Sequence, residues 1–445
     1  MLGMYQAWGF RSNPFETWPL PATDVGERLL IGREEKLRWI VRRLLTPGKI
    51  ITMEGANGIG KTSINNVASY KAFRSFLTGE SDQLLVPCEK AFQLLPESNI
   101  NTFVDHVFYN IALTLLKHSD TLKESGRGLD QVDAVRAWLT SPVSQSVNAA
   151  ISVYSFGGGI GSTDTTNTSS GFTNVGFNDL VRRWLQEIFP NGEAGGVVCV
   201  IDNLELLRVS DAARRSLEAL RDELFTIPGL RWILCGSMGI VRTLASTPRL
   251  QGYLHDPVEI GDIDQRESGE ILKSRIETYK INDTFYLPMI PSDFAKLYSV
   301  LRGNIRDTLS EADNFCNWVA DQGRDTHRDE EKHEQFNQWL TWSCGQRFEA
   351  ARPLLSARPW QLFDDIINSD GQCSPGDFKG FKFETQQAMR SQVLRLEAAN
   401  LVKSVRDEED NRRKTILITS NGWMVEYAKR TGYGMLPFSP NENPD

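Results

Sequence analysis

Residues 55–63 read Gly55-Ala56-Asn57-Gly58-Ile59-Gly60-Lys61-Thr62-Ser63. They fit G-x-x-x-x-G-K-[ST], a pattern whose mechanics are those of a phosphate cradle. Glycines at these spacings let backbone N–H groups turn inward around phosphate oxygens. A helix opening behind the loop adds the positive end of its dipole. In such a loop Lys61 reaches the β- and γ-phosphates and Thr62 offers its hydroxyl to Mg²⁺. Gly55, Asn57, Gly58, Ile59, Gly60, Lys61, Thr62 and Ser63 are therefore candidate contacts for ATP. The second candidate is Asp202, which ends the apolar run Val197-Val198-Cys199-Val200-Ile201. A buried strand that delivers one carboxylate at its C-terminal end is the Walker B arrangement, and Asp202 joins Thr62 as a candidate Mg²⁺ ligand. Asn203 follows, where a glutamate would be placed to orient water. Glu205 lies two residues further on: either it takes that role from a shifted turn, or it is a solvated residue at a strand end and hydrolysis is slow. A third apolar run, Leu230 to Gly236, ends in Ser237, which could face the γ-phosphate.

The elements that must position these groups are legible around them. Lys49 to Glu54 is short and apolar, as a buried strand should be, and Thr62 to Phe73 has helical character with no Pro or Gly. Upstream, Leu30-Ile31-Gly32-Arg33 opens a helix to Leu45 with Leu37, Ile40, Val41 and Leu44 on one face, stopped by Pro47-Gly48. Leu84 to Cys88 is a further strand, stretches 102–118 and 130–139 are helical, and Leu217, Leu220 and Leu224 line one side of another helix. Continuously apolar strands belong to parallel sheets covered on both faces. Their alternation with helices predicts an α/β domain with ligand loops at the strand C-termini.

Length and composition frame this core. A chain of 445 residues carries about three domains on the usual size prior. It is 40% hydrophobic and 24% charged, enough for ordinary globular cores. A net charge of −8 and a pI near 5.4 argue against a whole-surface nucleic-acid binder, although a local basic patch can be outvoted by acidic domains. The six cysteines are far apart with no C-x-x-C, and the five histidines show no metal-ligand spacing. With no secretory signal and no apolar run that would span a bilayer, a reduced, cytoplasmic setting without membrane contact is the expectation.

Residues 1–29 carry Asn13-Pro14-Phe15 and Trp18-Pro19-Leu20-Pro21, which suggests an extended arm on a domain surface. Residues 155–171 are Gly-, Ser- and Thr-rich and read as a long hairpin with a mobile tip, a solvated loop, or a loop that contacts a partner. In the C-terminal third, a charged linker leads into a helix with Trp339 and Trp342. Trp360 to Asn368 forms a helix, Ser374 to Phe378 begins a short one, and Glu384 to Asn400 forms a third. Leu401 to Val405 and Thr415 to Thr419 then flank a charged turn, Arg406 to Lys414. Three helices with a terminal β-hairpin resemble a winged helix. In a DNA-binding role Arg390 and Arg395 would face the major groove, and Arg412, Arg413 and Lys414 would meet phosphates. Residues 355–435 hold 12 basic and 11 acidic side chains, so no strong electrostatic footprint favours DNA over protein docking.

Taken together, the chain resembles AAA+ ATPases of the origin-recognition and replication-initiator group, with features of STAND signalling ATPases. The resemblance covers about residues 10–315. Leu30 to Arg33 looks like the box that cups the adenine, which implies contacts from Ile31 and Gly32. Val200-Ile201-Asp202-Asn203-Leu204-Glu205 resembles STAND-type Walker B sequences, and Ser237 falls at the sensor-1 position. Leu301-Arg302-Gly303-Asn304-Ile305-Arg306 resembles the sensor-2 motif, which implies that Arg306 reaches the γ-phosphate from a helical lid. The helix over Glu267 to Tyr279 would belong to that lid. Only position singles out Arg242 and Arg249 as candidates for an arginine finger supplied between subunits.

The expected fold is thus an AAA+-like P-loop NTPase core of parallel sheet over 30–262, a helical lid and linker over 263–345, a winged helix over 346–435, and a tail over 436–445. The expected function is an ATPase switch using ATP and Mg²⁺, with Lys61, Asp202, Glu205 and Arg306 as its catalytic set. It would assemble as a homo-oligomer on double-stranded DNA, in replication initiation, transposition control or mobile-element defence. The alternative is a STAND-type signalling switch with little turnover whose winged helix docks a protein effector.

Overall fold

A computed structural model describes residues 3–95, 98–139, 174–207, 211–237, 239–245, 247–323, 325–406 and 414–432. The segment 155–171, Arg412, Arg413 and the tail from 436 lie outside the described residues. The chain divides into two compact units, Pro19–Gly261 and Met1–Trp18 with Asp262–Asp445.

The unit Pro19–Gly261 is built on a parallel sheet. Its strands are β1 (Ile51–Glu54), β2 (Leu84–Pro87), β3 (Phe92–Gln93), β4 (Gly195–Asp202), β5 (Leu230–Gly236) and β6 (Val258–Glu259). The order is β2-β4-β5-β1-β6, with β3 paired to the end of β4. Every pairing is parallel, with Ile51 opposite Ile233, Val197 opposite Leu230 and Leu84 opposite Gly195. All eight residues of β4 are buried, which explains its unbroken apolar sequence: helices cover both faces. These are α1 (Glu34–Leu44), α2 (Lys61–Leu77), α3 (Ile100–Lys117), α4 (Asn174–Ile188) and α5 (Asp211–Leu220). Phe108, Trp184 and Trp232 share one core with the strands. Because β5 lies between β1 and β4, Ser237 at its end falls between the phosphate loop and Asp202 along the sheet edge.

The second unit is helical with a small sheet. Its helices are α6 (Ser268–Tyr279), α7 (Pro291–Val300), α8 (Ile305–Gln322), α9 (Asp329–Ala351), α10 (Ala357–Asn368), α11 (Gln386–Ala398) and α12 (Ser420–Arg430). β7 (Gln372–Cys373), β8 (Val402–Arg406) and β9 (Lys414–Ile418) form an antiparallel sheet in the order β7-β9-β8. Helix, short strand, helix and hairpin close over Leu362, Phe363, Met389, Leu396 and Ile416. The division expected at 345/346 falls inside α9.

The N-terminal segment differs from the expected extended arm. Met4–Ala7 and Asp24–Leu29 are short helices, and Tyr5, Phe10 and Phe15 are buried. Tyr5 Oη and Asn13 Nδ2 both donate to Asp313 Oδ1 on α8, at 2.5 and 2.9 Å. The buried Arg275 guanidinium of α6 donates to the Pro14 and Glu16 carbonyls. Aromatic burial and these long-range hydrogen bonds fold the part up to Trp18 into the second unit, whereas Asp24–Leu29 belongs to Pro19–Gly261. Among the described residues no helix is long and apolar enough to cross a membrane, and no cluster of three metal-ligating side chains occurs.

Candidate phosphate and metal site

The loop between β1 and α2 has the geometry that its glycines predict. Gly58 and Gly60 sit at φ +83° and +101°, a region open to glycine at little cost. Gly55 lies so close to the chain crossing from β6 that a Cβ there would be 2.6 Å from the Ile260 carbonyl oxygen. Gly60 is the N-cap of α2, whose 17 residues bring a full helix dipole to the loop. The first N–H groups of that helix have no intrahelical acceptor. Lys61 is 6% exposed, and its Nζ donates to the carbonyls of Gly55 at 2.8 Å and Ala56 at 3.1 Å. Asn57 is exposed at the loop tip and Ile59 is buried beneath it. Ser63 Oγ accepts the Leu20 N–H at 3.1 Å.

Asp202 meets this loop from the end of β4. Its Oδ2 accepts from Thr62 Oγ1 at 2.5 Å, and its Oδ1 from the Asn203 N–H at 2.9 Å. Thr62 and Asp202 thus present two hard oxygen donors side by side, the donor set that Mg²⁺ takes from a protein. Asn203 has φ +57°, a left-handed position where asparagine is favoured among non-glycine residues. That bend starts the 3₁₀ turn Leu204–Leu207 and carries Glu205 back to the sheet edge. One Glu205 carboxylate oxygen accepts the Ser237 N–H at 3.1 Å, joining the ends of β4 and β5. Glu205 is therefore anchored toward the phosphate loop's edge of the sheet. Two residues before Ser237, burial and then the nearby Asp202 charge push the Cys235 thiol up, and Asn65 Nδ2 donates to its sulfur at 2.9 Å. Cys235 is a neutral packing group.

Two side chains beside the loop were not singled out from sequence. Arg33 is 6% exposed, and its Nη2 donates to the Ile59 carbonyl at 3.1 Å, bracing the loop from outside. It adjoins Ile31 and Gly32, which are half-buried. Glu54, buried at the end of β1, accepts the Arg242 N–H at 2.8 Å. An arginine closing the Leu30 to Arg33 box and an acid ending an apolar strand were the available signals. Both finger candidates, Arg242 and Arg249, are exposed, and Arg249 lies 3.7 Å from Glu218 and 3.6 Å from Asp222.

The remaining candidates belong to the second unit. Arg306 is exposed on the first turn of α8, where Asn304 Oδ1 caps the helix by accepting the Asp307 N–H at 3.2 Å. Arg390 and Arg395 are exposed on α11, and Arg395 Nη1 contacts Ser356 Oγ at 3.4 Å. Lys414 opens β9.

No family model matches the chain, and no curated protein matches its sequence. Among solved structures it is similar to the Aeropyrum pernix ORC1 protein in complex with DNA, at 12% identity and a TM-score of 0.46, over 96% of this chain and 97% of that one. It is similar to the Aeropyrum pernix ORC2 protein in ADPNP–ADP complexes, at 11% identity and a TM-score of 0.46, over 95% and 98%. It is also similar to Cdc6p from Pyrobaculum aerophilum, at 12% identity and a TM-score of 0.40, over 95% and 99%. The chemistry open to the site follows from its own residues.

Proposed function

We propose that this chain is an ATP-binding and ATP-hydrolysing switch that assembles with copies of itself in a nucleotide-dependent way and acts on double-stranded DNA. One observation carries the reading: the phosphate loop, the Thr62–Asp202 pair and the Glu205–Ser237 pair converge on the C-terminal edge of three neighbouring strands, β1, β5 and β4.

In this reading the N–H groups of residues 58–62 cradle the phosphates, and Lys61 trades its two loop carbonyls for phosphate oxygens. Thr62 and Asp202 would hold Mg²⁺, which would supply positive charge against the charge that builds on the phosphates. Glu205 orients the attacking water and accepts its proton, and Ser237 offers a hydroxyl toward the γ-phosphate. Ile31 and Gly32 line the adenine side. Arg306 reads the γ-phosphate, so that ATP and ADP favour different arrangements of the chain. Residues 346–435 would be the winged helix, in which Arg390, Arg395, Arg412, Arg413 and Lys414 would meet DNA.

A second reading is a STAND-type signalling switch with slow turnover, docking a protein effector. Asn203 favours it, since no acid follows Asp202 and Glu205 already accepts a main-chain N–H. Mass photometry separates the two, using wild type and Lys61→Ala with ATP, ADP or no nucleotide, each with and without duplex DNA. Assembly that needs ATP and DNA and is lost in Lys61→Ala is the expected result. Assembly with ATP alone transfers the conclusion to the signalling switch, and a monomer throughout removes assembly from both.

A further inference from the structure

We infer that Ser420 and Trp423, on the first turn of α12, grip the turn that carries Arg306 and pass its movement to the C-terminal helix–hairpin module. This rests on the reading of Arg306 as the nucleotide-sensing residue.

The turn between α7 and α8 is held in an uncommon shape. Arg302 is left-handed at φ +51° and Gly303 follows at φ +80°. A non-glycine residue in this region is strained, and such strain collects at switch segments. The Arg302 and Gly303 N–H groups bond the carbonyls of Ser299 at 3.2 Å and Tyr298 at 3.1 Å. On one side Gly303 is pressed against Asp262, where a Cβ would come within 2.6 Å of the carboxyl carbon. On the other side stands α12.

Two side chains of α12 reach the turn, one on each side of Arg306 in sequence. The Arg302 guanidinium lies over the Trp423 ring, 4.7 Å from its centroid, a cation–π arrangement. Ser420 Oγ donates to Asp307 Oδ2. Residues 302 and 307 are thus both held, and Arg306 projects between them, exposed and in no ion pair among the described residues. Two fixed points flanking one residue transmit a rotation of that turn; a single contact would let it slide.

Trp423 also touches the module itself. Its ring edge is so close to Gly371 that a Cβ there would clash with Cζ2. Gly371 leads directly into β7, and its carbonyl accepts the Ile418 N–H at the end of β9 at 2.9 Å. The indole therefore stands between the Arg302 turn and the corner where α10, β7 and β9 meet. Trp423 packs against the apolar core of the module, but Arg302 is exposed and Ser420 half-buried, so removing the Arg302 guanidinium or the Ser420 hydroxyl leaves that core closed.

Hydrogen exchange of the full chain, with and without saturating ATP and Mg²⁺, tests the coupling. The double variant Arg302→Gln, Ser420→Ala removes both contacts at accessible positions, and Trp423→Phe keeps an aromatic face as the conservative variant. In wild type, ATP should alter exchange at residues 300–308 and, with it, at 366–373 and 415–430. In the double variant the response at 300–308 should persist with ATP affinity changed less than about twofold, while the response elsewhere falls about fivefold or more, the low end of ordinary coupling factors. Trp423→Phe should retain most of it. An undiminished module response in the double variant overturns the coupling and leaves Arg306 as sensor. No ATP response at 300–308 in wild type overturns the sensor reading, and the coupling with it.

Discussion

The two units hold their candidate residues in opposite ways. In Pro19–Gly261, Lys61, Thr62, Asp202 and Glu205 already have hydrogen-bond partners and stand at the ends of buried parallel strands. In the other unit, Arg306, Arg390 and Arg395 project from helix surfaces into solvent. Asp202 and Glu205 are held by main-chain N–H groups before a ligand arrives, whereas Lys61 has two loop carbonyls to exchange. The second arrangement is complete only when something charged meets it. On the proposed reading, chemistry would belong to the sheet edge and signalling to the helices, and each unit holds one left-handed residue beside its candidate region, Asn203 and Arg302.

The largest expected effect tests whether the preorganised edge is a working site. Glu205→Gln keeps the acceptor for the Ser237 N–H and removes the base. The ATP turnover number should fall by about 10²–10⁴-fold, the usual contribution of a positioned general base, with KM little changed. Steady-state phosphate release measures it. An unchanged turnover number would mean that water is oriented by another group and that Glu205 only ties β4 to β5.

Acid should strike the sheet unit through His106 on α3. Burial, and then the nearby Lys90 charge, lower its pKa from 6.5 to about 4. Between those values the unfolded chain binds a proton that the folded chain refuses, so stability rises with pH there and is lost as pH falls from about 6.5 toward 4. From pH 7 to pH 5 the loss is about 1–2 kcal/mol. Amide protection in residues 100–117, corrected for intrinsic exchange, should drop accordingly, and His106→Gln should flatten the dependence. An equal drop in His106→Gln would assign the acid sensitivity elsewhere.

What the sequence disclosed follows the same division. The phosphate loop and β4 were legible because their signals are local: a fixed spacing, and an apolar run that is buried along its whole length. The hairpin β8–β9 and helices α10 and α11 were legible from periodicity and turn residues. Arg33 and Glu54 were not, because their partners, Ile59 and the Arg242 N–H, are distant in sequence. The N-terminal segment was misjudged for the same reason: its prolines suggested an extended path, while Tyr5 and Asn13 find Asp313 and Arg275 finds the Pro14 and Glu16 carbonyls only in the folded unit. The left-handed backbone at Asn203 explains an apparent departure from the usual Walker B sequence. An asparagine fits the bend, and the next acid, Glu205, is the one that accepts the Ser237 N–H.

The smallest effect compares the left-handed residues beside the two candidate regions, Asn203 at φ +57° and Arg302 at φ +51°. Asparagine tolerates this conformation better than other side chains, because its short polar group can bond locally. Asn203→Ala should therefore lower the stability of the sheet unit by about 1 kcal/mol. Arg302→Gly should behave differently. It relieves about 1–2 kcal/mol of backbone strain and forfeits a cation–π contact worth about 0.5–1 kcal/mol at an exposed site, while the added freedom of glycine in the unfolded chain offsets part of the gain. Its net effect should lie near zero. Urea unfolding of the two variants gives the comparison directly. If Arg302→Gly costs more than Asn203→Ala, the contact with Trp423 outweighs the strain and the turn is locked. If it is neutral, strain and contact balance, which is the condition under which a bound phosphate could tip the turn.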